Sequence, residues 1–237
     1  MSNETEARAL AEQRDYYDAR AREYDEWWLR RGRYDRGAAS NRLWFQDIAE
    51  LEAALAAVQP RGRILELAGG TGLWSQKLLP FASELTVVDS SPESLRLNGA
   101  RLGSGAVTYI EADIFRWQPE QRFDFVFFSF WLSHVPESRF DDFWALVRSS
   151  LSPGGRVFFV DSLREQTSTS FDQKLPEEGS LMQRKLNDGR SFRVFKVYYP
   201  PPALEARLTG LGWSSRVSST STYFLYGSAR RADALPG

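Results

Sequence analysis

The chain has no cysteine, one histidine and two methionines in 237 residues. The first absence excludes disulfides, thiolate metal sites and cysteine nucleophiles together. The second leaves little room for a histidine-built metal centre, so no metal is expected. An excess of one charge is missing too: 30 Lys and Arg stand against 31 Asp and Glu, a net charge of −1. No global field therefore favours DNA, RNA or an anionic membrane. No run approaches the roughly 20 apolar residues of a membrane span. The N-terminal MSNETEARALAEQRDYYDAR is polar and acidic, without the apolar centre of a signal peptide. The expectation is a cytoplasmic protein, monomer or homodimer, with no nucleic-acid and no membrane partner.

Aromatic side chains, by contrast, are plentiful, 14% of residues with eight tryptophans. They suffice for a large core and leave some to line a pocket for a flat or apolar ligand. The length suits one domain, and neither an internal repeat nor a low-complexity segment divides it. Apolar spacing predicts a helix over residues 8–29, broken by the Gly32 to Gly37 stretch. A second helix from Asn41 keeps Trp44, Ile48, Leu51, Leu55 and Val58 on one face and ends at Pro60. Then ILEL (64–67), LTVVD (85–89), VTYI (107–110), FDFVFF (123–128) and RVFFVD (156–161) read as strands. FDFVFF is too apolar for a sheet with one wet face. Helices are expected over 71–79, from Pro92 with Ser91 as N-cap, over 138–151 and from Pro201. FRVFKVYY (192–199) and TYFLYGSA (222–229) are strand-like as well. This alternation predicts a doubly wound, mostly parallel α/β sheet with helices on both faces.

In such a sheet the ligand lies beyond the strand C-termini, beside the first strand, where LAGGTG (67–72) falls. Gly70 and Gly72 let backbone approach a ligand where a Cβ would clash. A pyrophosphate-binding turn wants a further glycine three residues on, where this chain has Ser75. It would also be repelled by Glu66, which welcomes a cation. The glycine pair alone marks no site. Asp89, however, ends the second strand, where a carboxylate can take both ribose hydroxyls. Asp113 follows the third strand, placed to accept from an exocyclic amino group, with Ile114 against the base face. Ser129, Phe130 and Trp131 follow the fourth. Each acid by itself reads equally well as solvated loop; the repetition at three successive strand ends does not.

With ILELAGGTG, LTVVDSS, YIEADIF, FDFVFFSFWLSHVP and LSPGGRVFFVD in order, the chain resembles the class I S-adenosylmethionine-dependent methyltransferases of small-molecule and quinone type. YYDARAREYD resembles that group's helix preceding the domain. The resemblance implies a seven-stranded Rossmann-like sheet over 41–237, a helical lid over 1–40, an insertion or lid segment over 163–199, and S-adenosyl-L-methionine as cofactor. It assigns Glu66, Gly70 and Gly72 to the methionine end, Asp89 to the ribose, and Asp113 and Ile114 to the adenine. Tyr16, Tyr24, Ala68, Gly69, Ser90, Ser129 and Phe130 are further expected cofactor contacts. Ala68 stands where the motif more often has glycine.

The implied reaction is in-line methyl transfer to an oxygen or nitrogen of a small, partly apolar or aromatic acceptor. Positioning alone can supply roughly 7–11 kcal/mol, so a dedicated base is not required. His134 reads two ways, as a structural histidine bonded to its loop or as a catalytic or substrate-orienting group. Trp28, Trp131 and Tyr198 are candidate acceptor contacts, with core packing as the alternative for Trp27 and Trp28. The arginines Arg30, Arg31, Arg33 and Arg36 read as a solvated hinge or as an anion site. A nicotinamide-dependent reductase and a non-catalytic S-adenosylmethionine-binding module are the competing functions. Ser75 and Glu66 oppose the reductase, as does the lack of a Tyr-x-x-x-Lys pair. A nucleic-acid methyltransferase lacks its Asn/Asp-Pro-Pro-Tyr/Phe stretch, since this chain has Ser-Phe-Trp-Leu there.

Overall fold

A run as apolar as Phe123–Ser129 needs cover on both faces, and the architecture follows from that need. The computed structural model describes residues 3–103, 105–175 and 179–232. In chain order the elements are α1 (Asn3–Arg20), α2 (Tyr24–Trp28), α3 (Gly37–Val58), β1 (Gly62–Leu67), α4 (Ser75–Leu78) and β2 (Ala82–Asp89). There follow α5 (Pro92–Leu102), β3 (Val107–Glu111), β4 (Phe123–Ser129), α6 (Phe140–Ser150) and β5 (Leu151–Ser162). The chain ends with β6 (Leu181–Lys185), β7 (Ser191–Phe195), α7 (Pro201–Gly210), β8 (Trp213–Ser219) and β9 (Phe224–Arg231). The main sheet has seven strands in the order β3-β2-β1-β4-β5-β9-β8. The five strands from β3 to β5 pair in parallel, and β9 is antiparallel to both β5 and β8.

Alternation along β4 divides the core. Val126 and Phe128 face a layer with Phe143, Trp144 and Val147 of α6 and Leu204 and Leu208 of α7. Phe125 and Phe127 face the opposite layer, with Trp44, Ile48, Leu51 and Leu55 of α3. The predicted apolar face of that helix is thus the buried one. Trp27 and Trp28 join the same layer, their rings 5.1 and 6.3 Å from that of Trp44.

The structure departs from the predicted elements in three places. The long first helix ends at Arg20, and a 3-10 turn over Ala21–Glu23 redirects the chain into α2. The helix expected from residue 71 begins only at Ser75, because Ala68, Gly70 and Gly72 all take left-handed backbone conformations. FRVFKVYY lies outside the main sheet. Its first half is β7, which forms an antiparallel hairpin with β6, and the seventh strand of the sheet is instead β8. The sequence of β8, WSSRVSS, is serine-rich and half wet, as an edge strand can be. α1 lies across the hairpin, with Tyr16 packed beside Met182, Leu186 and Val194. No helix among the described residues is long and apolar enough to cross a membrane.

Buried Asp47 of α3 fixes the turn between β8 and β9. Its carboxylate accepts from Thr220 Oγ1 (2.7 Å), Ser221 Oγ (2.8 Å), and the amides of Thr222 (3.0 Å) and Tyr223 (2.8 Å). Asp47→Ala strands these donors and should lower stability by about 3 kcal/mol. That is a fall of roughly 6–12 °C in melting temperature for a chain of this length. A shift below 2 °C in a thermal melt would show that the turn finds other acceptors.

Candidate functional site

The loop from β1 to α4 crosses the C-terminal edge of the sheet where the strand order reverses. The Ala68 amide bonds to Val88 O (2.8 Å) and the Gly70 amide to Asp89 Oδ2 (2.9 Å). The other Asp89 oxygen accepts from the Ser91 amide at 2.9 Å. Asp89 thus joins this loop to the start of α5, where Ser91 caps the helix by accepting from the Ser94 amide (3.0 Å). The glycines divide by role. A Cβ on Gly70 would meet nothing within 4 Å, whereas one on Gly72 would lie 2.9 Å from the Asn98 side chain. Gly70 therefore opens on free space, and Gly72 serves packing.

Two chambers adjoin beyond these strand ends. The first encloses about 570 Å³, part of it open to solvent, and is lined by Ala68, Gly70, Thr71, Asp89, Ser90, Ser94, Ile114, Ser129 and Trp131. The second spans about 450 Å³, again part of it open to solvent, and Arg20, Trp27, Ser162, Ser168, Arg184, Lys196 and Tyr198 line it. Tyr17, Tyr24, Phe130 and His134 belong to both. α1 and the β6–β7 hairpin roof the pair. From α1, Gln13 Nε2 donates to His134 O (3.1 Å) and Gln13 Oε1 accepts from the Phe195 amide (2.9 Å). Phe130 holds φ +53, an outlier for so bulky a residue and one seated at the junction of the chambers.

Charge separates the chambers. The second gathers three cations, Arg20, Arg184 and Lys196, against one buried carboxylate, Asp161. Lys196 Nζ lies 3.6 Å from Asp161 Oδ1 and donates to Ser133 Oγ at 2.8 Å. Asp161 also accepts from the Ser133 and Ser162 amides (2.8 and 2.7 Å). Burial lowers the Lys196 ammonium to about 8, against the pull of Asp161. Buried Arg20 sits over the rings of Tyr24 and Tyr16 at 5.0 and 5.6 Å and donates to Tyr34 Oη at 3.3 Å. Arg184 donates to Thr169 Oγ1 (2.6 Å) and Gln173 Oε1 (3.3 Å). Among the described residues, neither guanidinium has a carboxylate within ion-pair distance.

Several predicted site residues lie on these walls: Tyr24, Ala68, Gly70, Asp89, Ser90, Ile114, Ser129, Phe130, Trp131, His134 and Tyr198. Others do not. Tyr16 turns toward the hairpin, and its neighbour Tyr17, one helical step round, faces the cavity instead. Trp28 packs among Trp74, Phe130 and Phe224. Gly69 and Gly72 face Val87 and Asn98. Asp113 caps the turn at Phe115 and pairs with Arg14 of α1 at 3.1 Å. Glu66 lies beneath the loop, where Oε2 accepts from Ser75 Oγ (2.5 Å) and Oε1 has no partner. The arginine run holds the insertion: Arg30 bonds to Thr167 O (2.7 Å) and Arg36 to Gln166 O (3.3 Å), and Arg33 pairs with Asp172 at 3.6 Å. The cations of the chamber are others. Lys196, set between Phe195 and Val197 in an apolar run, was the visible signal for them.

Comparison with known proteins agrees with this geometry. The family model described as "Methyltransferase domain" matches residues 64–155. The solved DhpI–SAH complex is 37% identical, covering 95% of this chain and 98% of that one with a TM-score of 0.77. The DhpI–SAM–HEP complex is 38% identical over 94% and 97%, also at 0.77. The chain belongs to the class I S-adenosylmethionine-dependent methyltransferases. Among curated relatives, the ubiquinone/menaquinone biosynthesis C-methyltransferase UbiE of Teredinibacter turnerae is 29% identical over 136 residues, 54% of this chain. The chain spans about half, 52%, of that relative's length.

The acid beneath the loop makes stability depend on pH. Burial raises the Glu66 carboxyl from 4.5 to about 8, against the Ser75 hydrogen bond. A carboxyl with a raised folded pKa keeps its proton where the unfolded chain has lost it. Its contribution is complete below 4.5 and is lost as pH rises through about 8, at ~1.4 kcal/mol per pH unit across that window. Glu66→Gln removes the ionisation and keeps an acceptor for Ser75. In cofactor-free protein, the stability of Glu66→Gln relative to the parent chain should climb steadily from pH 5 to pH 8 in chemical denaturation. A constant difference would mean that Glu66 is ionised in the fold.

Proposed function

We propose that this chain transfers a methyl group from S-adenosyl-L-methionine to an oxygen of a small acceptor bearing an oxyanion: a carboxylate, phosphate or phosphonate. The carrying observation is the second chamber, where among the described residues Arg20 and Arg184 have no carboxylate within ion-pair distance and Lys196 pairs with Asp161. Arg20 and Lys196 are buried and Arg184 is half-buried, and cations so placed with one carboxylate among them favour an anionic ligand beside them. The expected apolar part of the acceptor would lie against Tyr17, Tyr24, Trp27, Phe130 and Tyr198. The curated UbiE relatives are named as C-methyltransferases, but the cations Arg20, Arg184 and Lys196 in the adjoining chamber favour an anionic acceptor. Because DhpI is solved with SAM and HEP bound together, HEP is the first acceptor to try.

The first chamber fits the cofactor on its own terms. Gly70 faces open space, and Trp131 Nε1 is a buried donor without a partner. In this reading Gly70 and Thr71 meet the methionine end, Asp89 and Ser90 the ribose, and Ile114 and Trp131 the adenine. Glu66, Gly69 and Gly72 act one step back, by holding the loop. When bound, the cofactor supplies a methyl on a sulfonium. The protein's part is to align the two ligands across the wall of Tyr17, Tyr24, Phe130 and His134 and to keep water out.

We read residues 1–40 and 163–199 as a lid, since α1 and the β6–β7 hairpin lie over both chambers and are joined there by Gln13. Its ties to the domain include charged pairs near the surface, Arg14 to Asp113, Arg22 to Glu93 at 2.6 Å, and Arg101 to Asp25. Exposed pairs contribute about 0–1 kcal/mol each, so the cost of opening falls on the buried contacts, the Gln13 bonds to His134 and Phe195 and the packing of Trp27 and Trp28 on Trp44 and Phe130.

Two measurements test the function. S-adenosylhomocysteine at a hundredfold excess over its Kd stabilises by about 2.7 kcal/mol, a rise of roughly 5–11 °C, and Asp89→Ala should abolish most of it. NAD⁺ should give no rise. Arg184→Gln should raise the KM for an oxyanion acceptor about 10–100-fold, as expected for a lost charged hydrogen bond, while leaving cofactor affinity within twofold. An unchanged KM for oxyanion acceptors in Arg184→Gln, or turnover of uncharged acceptors by the parent chain as fast as of charged ones, would overturn the acceptor assignment.

A further inference from the structure

Tyr17 belongs to both chambers, yet neither the cofactor nor the anion accounts for it. Its hydroxyl lies 2.6 Å from His134 Nε2, and the two rings meet edge-on at 5.1 Å. The other side of the imidazole fixes the direction of that bond. His134 Nδ1 lies 2.5 Å from the Phe195 carbonyl, which can only accept, so Nδ1 carries the proton. In the neutral ring Nε2 is then a bare acceptor, and the Tyr17 O–H donates to it. The phenolic oxygen spends its proton on His134 and turns its lone pairs to whatever enters the cavity.

The groups around this pair decide when it can take a proton. From α1 come Tyr17 and Arg20, from α2 Tyr24, from β6 Arg184, from the segment after β7 Lys196 and Tyr198, and from β5 Asp161. Burial, then the Lys196 charge, hold the imidazole well below its ordinary 6.5. Asp161 is already engaged by Lys196 and two backbone amides, so the cations dominate while the chamber is empty of anions. An oxyanion seated among them offsets that field.

We propose that Tyr17 is the catalytic proton acceptor of the methyl transfer, with His134 behind it, and that the acceptor's own negative charge makes the pair basic. This rests on the oxyanion-acceptor reading and concerns acceptors whose nucleophilic oxygen carries a proton. As that oxygen forms its bond to the methyl carbon and the S–C bond breaks, its proton passes to the Tyr17 oxygen. The Tyr17 proton passes to His134 Nε2 in the same step. The phenol is regenerated, the imidazole becomes imidazolium, and Nδ1–H still donates to Phe195. When the product leaves, the cations regain control and the imidazolium loses its extra proton to water. The specificity is built in, since a neutral ligand in the chamber leaves the base weak.

His134 is the only histidine in the chain, so its ring signals in a nitrogen-edited NMR spectrum need no assignment. The protein is saturated with S-adenosylhomocysteine and titrated from pH 5 to 8 with and without inorganic phosphate, whose binding is followed separately by melting temperature. The expected result is the Nδ1–H tautomer, with a midpoint that rises by about one pH unit under saturating phosphate. Arg184→Gln should remove most of that rise. With an acceptor that turns over, Tyr17→Phe should lower kcat about 10²-fold or more and leave its KM and the S-adenosylhomocysteine Kd within threefold. An Nε2–H tautomer, a midpoint indifferent to phosphate that does bind, or full kcat in Tyr17→Phe would each overturn the relay. If phosphate neither raises the melting temperature nor moves any signal, the oxyanion reading fails first, and the relay with it.

Discussion

The hydrogen bond from the Gly70 amide to Asp89 is the contact on which the site depends. It joins the loop after β1 to the end of β2, and that loop holds three left-handed residues within five, Ala68, Gly70 and Gly72. Ala68 alone is strained by about 1–2 kcal/mol in that conformation. Such a turn persists only where its surroundings over-determine it. Here they do: Ala68 is tied to Val88, and the Asn98 side chain donates to Gly70 O at 3.3 Å and to Ser75 Oγ at 2.8 Å. Ser75 in turn donates to Glu66. A buried acid kept protonated below the loop and a carboxylate above it hold the backbone between them.

Electrostatics then distribute the work between the chambers. The first is bounded by Asp89 and by backbone and hydroxyl groups, a setting that tolerates a sulfonium and an ammonium. The second is cationic, and the two meet at uncharged side chains, Tyr17, Tyr24, Phe130 and neutral His134. A positively charged donor and a negatively charged acceptor would therefore be drawn to opposite sides of one wall. Reaction discharges the donor, since the sulfonium becomes a thioether. The demethylated cofactor is thus held less tightly than the cofactor by the charge of the first chamber, which would favour its release after each turnover.

The scaffold was legible in the sequence because it rests on periodicity. Strand runs such as FDFVFF and the face of α3 admit only one buried arrangement, and of the acids at successive strand ends Asp89 lines the first chamber while Asp113 is engaged by Arg14 and the Phe115 amide. What escaped lies where local patterns are weak or ambiguous. β8 is a serine-rich edge strand that needs β9 to form. The β6–β7 hairpin did carry a signal in Asp188-Gly189, a pair suited to a tight turn, but polar flanks hid it. Tyr16 and Tyr17 are adjacent on one helix, and which of them faces the cavity follows from where the hairpin docks. Arg20, Arg184 and Lys196 come from α1, β6 and the segment after β7, so their convergence is a property of the tertiary fold alone.

Phe130 ties the chemistry to the core. Its backbone is pinned by a 2.8 Å bond to Val160 O, and its ring lies 4.9 Å from Trp27, 5.8 Å from Trp28 and 5.6 Å from Phe224. A left-handed conformation in a residue of this size is held there by aromatic packing, not by local preference. The same cluster reaches Trp44 and Tyr223, and through Tyr223 the turn that Asp47 fixes. The wall between the two chambers is therefore the inner surface of the aromatic cluster on that face of the sheet. Its position is set by packing in which Trp27 and Trp28 of α2 take part. The segment before α3 therefore belongs to the wall as well as to the roof, and a motion of α1 and the hairpin that leaves α2 in place is the one that would keep the alignment across the wall.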